Sequence, residues 1–436
     1  MTIQHIQDQA SPVIPSRFRA STQDQLNYLF RKVSSPEIHC VIAMAGQLDA
    51  ERMARAVRLT MDAEPVLGCR FVKHPWRPYW ERRDDLDRLH LCSVVEPQDP
   101  ESELWRFIAM PLDPYEDSQV QVRIFRSGTD TLCVKLDHLA ADGAGAIQYV
   151  YLLAAIYREL GAAPAYRPRP NLNGSRDQFQ VFKHCGPLAL FRALRRGYAP
   201  QATRCLPSKG KDLSGRAFAI RQINAEQFQA IKSYSHQHQF TVNDILLAAL
   251  YRAVFEVIDP PLGEPFPLVV PINLRRYLPA GHVVPVCTLS GATTVAITRQ
   301  SGETFDSVAA RTHAAMEAIK SDCPGLASAV LLELYFVPGF TPAEYAFYRI
   351  IGRAAKSGEG YLGLTNPGVI DERQMDFGDI KVADAYGVGG VAYPPGFGIT
   401  SSTFRNAMTF TAGFCDTAID RQDVEHFLDV FVRELP

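Results

Sequence analysis

Apolar and polar side chains largely alternate along two neighbouring segments, residues 120–124 and 132–136, which are separated by a Ser-Gly-Thr-Asp turn at 127–130. A period of two indicates strands with one buried face, so these segments predict a β-hairpin. Apolar residues then recur at helical spacing from Ile147 to Leu160. This pattern predicts an amphipathic helix that follows the hairpin directly.

Similar patterns predict further elements in both halves of the chain. The predicted strands cover 39–45, 69–72, 217–223, 268–272 and 295–298, and the predicted helices cover 21–30, 49–63, 225–238, 241–257, 305–320 and 423–435. The last hundred residues predict strands and Gly- and Pro-rich loops before the final helix, with the glycines at 387, 389 and 390 in a loop. Mixed strands and helices in both halves predict an α+β fold.

A length of 436 residues exceeds what a single core usually supports, so two lobes are expected. Prolines at 164, 168 and 170 mark a connecting region. We divide the chain into an N-terminal tail (1–20), a first lobe (21–175), a linker (176–212) and a second lobe (213–436). The linker holds a basic amphipathic stretch at 187–198. It predicts a surface helix packed on its own protein, with contact to an acidic partner or a membrane surface as the less favoured alternative.

The bulk composition narrows the classes of partner. The chain is 47% hydrophobic and 21% charged, with a formal net charge of -2, whereas nucleic-acid binding needs a concentrated basic face. It contains no apolar run of about 20 residues and no apolar core of the signal-peptide type near its start. None of the nine cysteines forms a C-x-x-C pair. The sequence therefore predicts a cytoplasmic protein with buried free thiols, no zinc knuckle, no transmembrane segment and no nucleic-acid partner. We also expect a monomer that holds no metal and no redox cofactor.

Candidate catalytic residues lie directly after the hairpin, where His138 is followed four residues later by Asp142 and then by Gly143. An imidazole has an ordinary pKa near neutrality, as a general base requires. Asp142 stands at the start of the predicted helix, where the helix dipole and free N–H groups favour a carboxylate. The alternative is a solvated loop histidine beside an ordinary Asp-Gly turn, because this spacing arises by chance in about one such chain in twenty.

The His-x-x-x-Asp-Gly motif is one of five segments that match a known pattern in the same order. The other four are Glu-Pro-Val-Leu-Gly-Cys-Arg-Phe at 64–71, Thr-Val-Asn-Asp-Ile-Leu-Leu-Ala at 241–248, Pro-Ile-Asn-Leu-Arg at 271–275 and Leu-Thr-Asn-Pro-Gly at 364–368. With them, the chain resembles the superfamily of chloramphenicol acetyltransferase-like acyltransferases from about residue 20 to its end. That superfamily includes nonribosomal peptide condensation domains, plant BAHD acyltransferases and alcohol acetyltransferases.

The resemblance implies two acetyltransferase-like lobes in a V-shaped pseudo-dimer, with an active-site tunnel between them. His138 would then take a proton from a small-molecule alcohol or amine acceptor as it attacks a thioester. The thioester would be carried by coenzyme A or by the phosphopantetheine arm of an acyl or peptidyl carrier protein, and no other cofactor is implied. Asp142 and Gly143 would be structural, with Arg275 as the partner of Asp142.

The residue that stabilises the oxyanion is less well defined. By resemblance a small polar residue of the second lobe faces His138, and Ser401, Ser402 or Thr403 fills that description. Asn366 would line the tunnel. A Ser-rich strand on a polar face is an equally good interpretation of 401–403, and a backbone N–H near Gly143 is another oxyanion donor.

Two departures from the family refine the prediction. Condensation domains carry two adjacent histidines, whereas Asp137 precedes His138 here. Plant BAHD enzymes carry Asp-Phe-Gly-Trp-Gly, of which residues 376–378 keep only the first half. The favoured function is a free-standing acyltransferase in specialised metabolism or lipid biosynthesis. The alternatives are a catalytically silent carrier-protein-binding module and a condensation-type enzyme that forms amides.

Overall fold

The computed structural model describes residues 12–113, 117–210, 212–321 and 323–436, and within them the strands form three sheets. The strands are β1 (Arg17–Arg19), β2 (Glu37–Met44), β3 (Cys69–Val72), β4 (Tyr79–Arg82), β5 (Cys92–Val95), β6 (Val120–Ser127), β7 (Thr129–Asp137), β8 (Ala217–Ile223), β9 (Pro265–Asn273), β10 (Ser290–Thr298), β11 (Leu362–Thr365), β12 (Val369–Ile370), β13 (Val382–Val388), β14 (Phe397–Phe404) and β15 (Ala407–Phe414). The α-helices are α1 (Thr22–Phe30), α2 (Ala50–Ala63), α3 (Pro100–Ala109), α4 (Gly143–Ala162), α5 (Phe179–Arg196), α6 (Ala225–His238), α7 (Val242–Ala253), α8 (Phe305–Lys320), α9 (Leu326–Tyr335), α10 (Phe340–Ser357) and α11 (Arg421–Arg433).

The first lobe is built on a five-stranded sheet with the order β13-β2-β7-β6-β5. Strands β6 and β7 form the predicted antiparallel hairpin, in which Ser127 lies opposite Thr129. Helices α2 and α4 pack against each other, and α4 also packs against β2. Their large buried side chains, among them Tyr149 and Tyr157, give this lobe its own core. The sheet therefore places the end of β7 and the start of α4 next to each other.

The second lobe is built on a seven-stranded sheet in which β10, β9, β11, β14, β15 and β8 follow in order and β12 pairs with β14. Strand β11 runs parallel to both β9 and β14, while the β9–β10, β14–β15 and β15–β8 pairs are antiparallel. Helices α7, α8 and α11 cover a large buried core of this lobe. The fold is thus α+β with two lobes, as the sequence predicts.

One strand connects the two lobes. Strand β13 comes from the second half of the chain but pairs with β2, and it also packs beside β14. Across the same junction, Arg216 Nη1 donates to Glu37 Oε2 at 2.9 Å. The division of the chain at residue 213 stays a prediction, and β13 crosses it.

Helix α1 lies between the lobes although its sequence is polar. Thr22, Gln23 and Asn27 are buried. Thr22 Oγ1 donates to Glu333 Oε1 at 2.6 Å, and Gln23 Nε2 donates to the carbonyl oxygen of Ser290 at 2.5 Å. Burial of polar groups is tolerated when they are hydrogen-bonded. These bonds make α1 a polar connection from the first lobe to the second.

Some predicted elements differ from the observed ones. Helix α8 has the predicted bounds, but the prediction of only strands and loops for the last hundred residues is wrong, since α10 is an 18-residue helix. This helix was not predicted because proline at 342 indicates a loop. Proline is nevertheless well tolerated in the first turn of a helix, where it lies here. Gly387 lies within β13 rather than in a loop. Part of the predicted tail, Arg17–Arg19, pairs with β4, whereas residues 1–11 lie outside the described residues.

In the described parts of the chain no helix alone has the length and apolar character to cross a membrane. Helices α9 and α10 meet the length and composition criteria only as a pair, and they are bent by 118° relative to each other.

Candidate functional site

His138 lies on the turn that joins β7 to α4. Its backbone N–H donates to the carbonyl oxygen of Pro36 at 2.5 Å. The preceding residue, Asp137, accepts from the N–H of Leu139 at 2.9 Å and pairs with Arg31. The turn is therefore fixed on both sides of a half-buried imidazole. Asp137 is occupied by these structural bonds.

Asn27 of α1 contacts the backbone and the ring of His138. Its Nδ2 atom lies 2.7 Å from the carbonyl oxygen of His138, 3.0 Å from Thr288 Oγ1 and 3.3 Å from His138 Nδ1. An amide nitrogen carries two hydrogens, so the two nearer oxygens use both of them. The Nδ1 side of the ring thus packs against Asn27 without receiving a hydrogen bond from it. Within the described part of the chain, Nε2 has no hydrogen-bond partner.

Asp142 is the N-cap of α4 and the centre of a buried network. Its Oδ1 atom accepts from the N–H of Gly145 at 2.8 Å. Its Oδ2 atom accepts from Arg275 Nη1 at 2.9 Å and from the N–H of Leu289 at 2.8 Å. Burial opposes ionisation of this carboxyl, but the charge and hydrogen bond of Arg275 and the two amide donors outweigh burial and lower its pKa. Asp142 and Arg275 thereby join the motif turn to the second lobe.

A second buried arginine, Arg176, also holds the motif turn. Its Nη2 atom donates to the carbonyl oxygen of Ala140 at 3.0 Å and to Asp24 Oδ1 at 2.8 Å, and Nη1 donates to the carbonyl oxygen of Val286 at 2.6 Å. It therefore connects the turn, α1 and the second lobe. Neither Arg176 nor Asn27 was predicted as a site residue, because both are distant from the motif in sequence and lie in none of the five matching segments.

The remaining candidates occupy the second lobe. A Cβ atom built on Gly143 would lie 3.3 Å from Pro367 Cβ, so the 366–368 segment lies against the motif turn, where Asn366 Oδ1 accepts from the N–H of Gly368. The 401–403 side chains are buried in β14. Ser401 Oγ donates to the carbonyl oxygen of Thr365 at 3.4 Å, Ser402 Oγ accepts from the N–H of Gly387 at 3.0 Å, and Thr403 lies in register with Met408. In the described residues none of these three side chains hydrogen-bonds to His138.

The thiol of Cys287 is a second reactive group near the site. Burial raises the pKa of the Cys287 thiol, which lies beside Arg275, to about 12. This thiol is therefore protonated at neutral pH and is a poor nucleophile. In the described ranges no cluster of three or more His, Cys, Asp or Glu side chains has the arrangement of a metal site.

A cavity of about 230 Å³ lies beside the linker and is bordered by Glu64, Asn171 and Arg176. Asn171 Nδ2 donates to Glu64 Oε1 at 2.9 Å. Burial nevertheless raises the pKa of Glu64 from 4.5 to about 7. The folded state thus binds this proton more tightly than the unfolded state does.

We expect Glu64→Gln to become more stable than the wild type as the pH rises. Between pH 4.5 and 7 the wild-type side chain ionises more readily when unfolded, so the wild type loses stability with rising pH at this site. Glutamine keeps the bond from Asn171 but cannot ionise. The free energy of unfolding of Glu64→Gln, relative to that of the wild type, should grow by about 1–3 kcal/mol across that window and then stay constant. Urea unfolding at pH 5 and pH 8 measures it, and a pH-independent difference would contradict the assignment.

Comparison with known proteins finds similar structures but no match by sequence. No family model matches the sequence, and no curated protein matches it. The structure is similar to the TRI3 trichothecene 15-O-acetyltransferase of Fusarium sporotrichioides, with a TM-score of 0.72 and 14% identity over 96% of this chain and 94% of that chain. It is also similar to the first condensation domain of the CDA synthetase, with a TM-score of 0.70 and 15% identity over 96% and 94% of the two chains.

A third similar structure is the starter condensation domain of rhizomide synthetase RzmA, solved as a single-site mutant in complex with C8-CoA. Its TM-score is 0.66, with 12% identity over 95% of this chain and 93% of that chain. The protein has the chloramphenicol acetyltransferase-like fold. Because the identities are low, the likeness establishes this fold and its two lobes. The chemistry of this protein follows from its own residues.

Proposed function

We propose that this protein transfers an acyl group from a thioester to an alcohol or amine, with His138 as the general base. One observation carries the proposal. The imidazole stands on a rigid turn beside residues of both lobes, its Nδ1 side lies against Asn27, and its Nε2 atom has no partner in the described residues. Because His138 is half-buried and its Nε2 atom is not buried, an acceptor can reach this atom, as a general base requires.

The proposed reaction uses the neutral imidazole with its proton on Nδ1. Nε2 takes the proton of the acceptor O–H or N–H while the acceptor lone pair forms a bond to the thioester carbonyl carbon. The carbon–sulfur bond then breaks, and the leaving thiolate takes the proton back from the imidazolium. The products are the acylated acceptor and a free thiol, so atoms and charges balance and His138 is regenerated.

The carbonyl oxygen becomes negatively charged in the intermediate and needs hydrogen-bond donors. Gly143 begins α4, and the first N–H groups of a helix have no partner within the helix and lie at its positive end. Ser401 Oγ uses its hydrogen on the carbonyl oxygen of Thr365, whereas Ser402 Oγ accepts from the N–H of Gly387 and keeps its own hydrogen. These facts favour a backbone donor near Gly143 over the hydroxyl group of Ser401.

We propose coenzyme A as the carrier of the acyl group. The support comes from the similar structures, since one was solved with C8-CoA and another is an acetyltransferase. Condensation domains are also among the similar structures, so a carrier-protein donor with amide formation is the second candidate. A catalytically silent carrier-protein-binding module is the third, and an unpaired Nε2 between the lobes argues against it.

The test is incubation of the full chain with octanoyl-CoA or acetyl-CoA and panels of primary alcohols and amines, followed by mass spectrometry of the acceptors. We expect an acylated acceptor together with free coenzyme A. Product from an acyl-carrier protein but not from acyl-CoA would select the condensation-type enzyme. Absence of product from both donors with every acceptor would favour the silent module.

Asn27 is expected to position the base. Asn27→Leu should lower kcat by about ten- to a hundredfold with little change in KM, because the ring loses its fixed orientation. Asn27→Asp places a carboxylate near Nδ1, so the acidic limb of the kcat profile should move to higher pH. Gln25→Leu, at a buried polar position on the same helix, is the matched control and should leave the pH profile in place. An unchanged profile in Asn27→Asp would exclude this role.

A further inference from the structure

Helix α5 has an unusual combination of charge and exposed apolar surface. Residues 179–196 contain Lys183, Arg192, Arg195 and Arg196 and no aspartate or glutamate. Four large apolar side chains of this helix are also strongly exposed: Phe179 is 56% exposed, Leu188 62%, Phe191 58% and Leu194 46%. An ordinary surface helix exposes polar and charged residues of both signs.

The inner side of α5 is already satisfied by its own protein. Val181, Phe182 and Ala193 are buried in the core of the second lobe, and Ala189 and Leu190 pack against that core. The helix also packs against α9. The exposed apolar residues are therefore additional to the side chains that attach α5 to the fold. The predicted packing of this stretch on its own protein therefore accounts for its inner apolar side chains but not for the exposed ones.

A kink divides α5 and shapes its exposed part. Gly186 has a φ of 78°, a left-handed conformation that suits glycine, and Pro187 follows it. The segment after the kink, 187–196, contains only proline, leucine, alanine, phenylalanine and arginine. Its exposed leucines and phenylalanine alternate with exposed arginines. Long arginine side chains can extend past neighbouring apolar groups and place their charges in a polar layer.

We propose that α5 docks this protein on an anionic lipid surface. A helix with apolar and basic side chains on its outer side, and no acidic ones, matches the chemistry of the boundary between acyl chains and anionic headgroups. An acidic protein surface would match the charge but would not require so many large apolar side chains. An anionic lipid surface therefore accounts for both the basic charges and the exposed apolar side chains of α5. The proposal concerns attachment and does not depend on the proposed acyl transfer.

Docking there would bring the lipid surface close to the segment that holds the motif turn. Phe179 follows Arg176 by only three residues, and Arg176 bonds to the carbonyl oxygen of Ala140. The start of α5 and the motif turn are thus connected through one short piece of chain.

Vesicle flotation of the full chain tests the proposal. We expect binding to vesicles of phosphatidylcholine mixed with phosphatidylserine, weaker binding to phosphatidylcholine alone, and a loss of binding as salt is raised. Leu188→Ser/Phe191→Ser/Leu194→Ser should abolish binding to both. Arg192→Gln/Arg195→Gln should weaken binding to the anionic vesicles about tenfold or more and leave the weak binding to neutral vesicles unchanged.

Two controls keep the test decisive. Leu262→Ser/Val369→Ser removes exposed apolar side chains outside α5, which are 59% and 65% exposed, and should bind vesicles like the wild type. Urea unfolding should show that all variants are as stable as the wild type, because the substituted side chains of α5 point outward. The proposal is overturned if the wild type does not bind anionic vesicles, if the α5 variants bind as well as it does, or if these substitutions instead abolish a dimer detected by sedimentation.

Discussion

Replacing His138 by alanine is expected to lower kcat of thioester-dependent transfer by about a hundred- to ten-thousandfold, the usual contribution of a positioned general base. The free energy of unfolding should change by less than about 1 kcal/mol. The turn is held by the backbone bond to Pro36 and by the bonds of Asp137, which do not involve the imidazole. Steady-state kinetics with acyl-CoA, together with urea unfolding, measure the two effects on the same preparations.

A matched control separates the base from histidine replacement in general. His282 is exposed, and its ring contacts Gln180 and His184 rather than the motif turn. His282→Ala should therefore keep both kcat and stability. Equal activity of His138→Ala and the wild type would exclude His138 as the base, and a large loss of stability in His138→Ala would mean that the imidazole has a structural role.

Replacing Asp142 by alanine is expected to have the opposite profile, with a loss of about 3–5 kcal/mol in the free energy of unfolding. The substitution leaves Arg275 buried without its partner, and it removes the acceptor for the N–H groups of Gly145 and Leu289. Urea unfolding at neutral pH measures the loss. Activity should fall in proportion to the folded fraction rather than through the chemical step.

A double-mutant cycle tests whether the ion pair is the cause. Arg275→Met removes the other charge, so Asp142→Ala/Arg275→Met should be less destabilised than the sum of the single variants. The exposed pair of Arg221 and Asp429 is the matched control, and Asp429→Ala should cost less than about 1 kcal/mol. Additive effects of the two buried substitutions would contradict an energetic coupling between Asp142 and Arg275.

Short-range patterns predicted the elements that carry the site. The hairpin, the turn and α4 follow from periodicity and capping, since all their determinants are adjacent in sequence. Helix α10 was missed because its first turn contains a proline. Gly387 was predicted to lie in a loop, whereas it belongs to β13, whose pairing with β2 satisfies its backbone bonds and decides its conformation.

The supporting residues of the site could not be predicted for a different reason. Helix α1 has the composition of an exposed helix, and only the assembled lobes show that Asn27 is buried against His138. Arg176 lies in a stretch that reads as a linker, yet its guanidinium is buried between three segments. Both roles arise from contacts between segments far apart in the chain, for which a single sequence gives no periodic or motif signal.

The most direct test of the central claim measures, by mass spectrometry, the amounts of acylated acceptor and of free thiol that the wild type and His138→Ala each form from one acyl-CoA. The proposed reaction predicts one acylated acceptor for each thiol released by the wild type, and almost none of either product from the variant. Equal amounts of both products from the two proteins would contradict His138 as the base that drives the transfer.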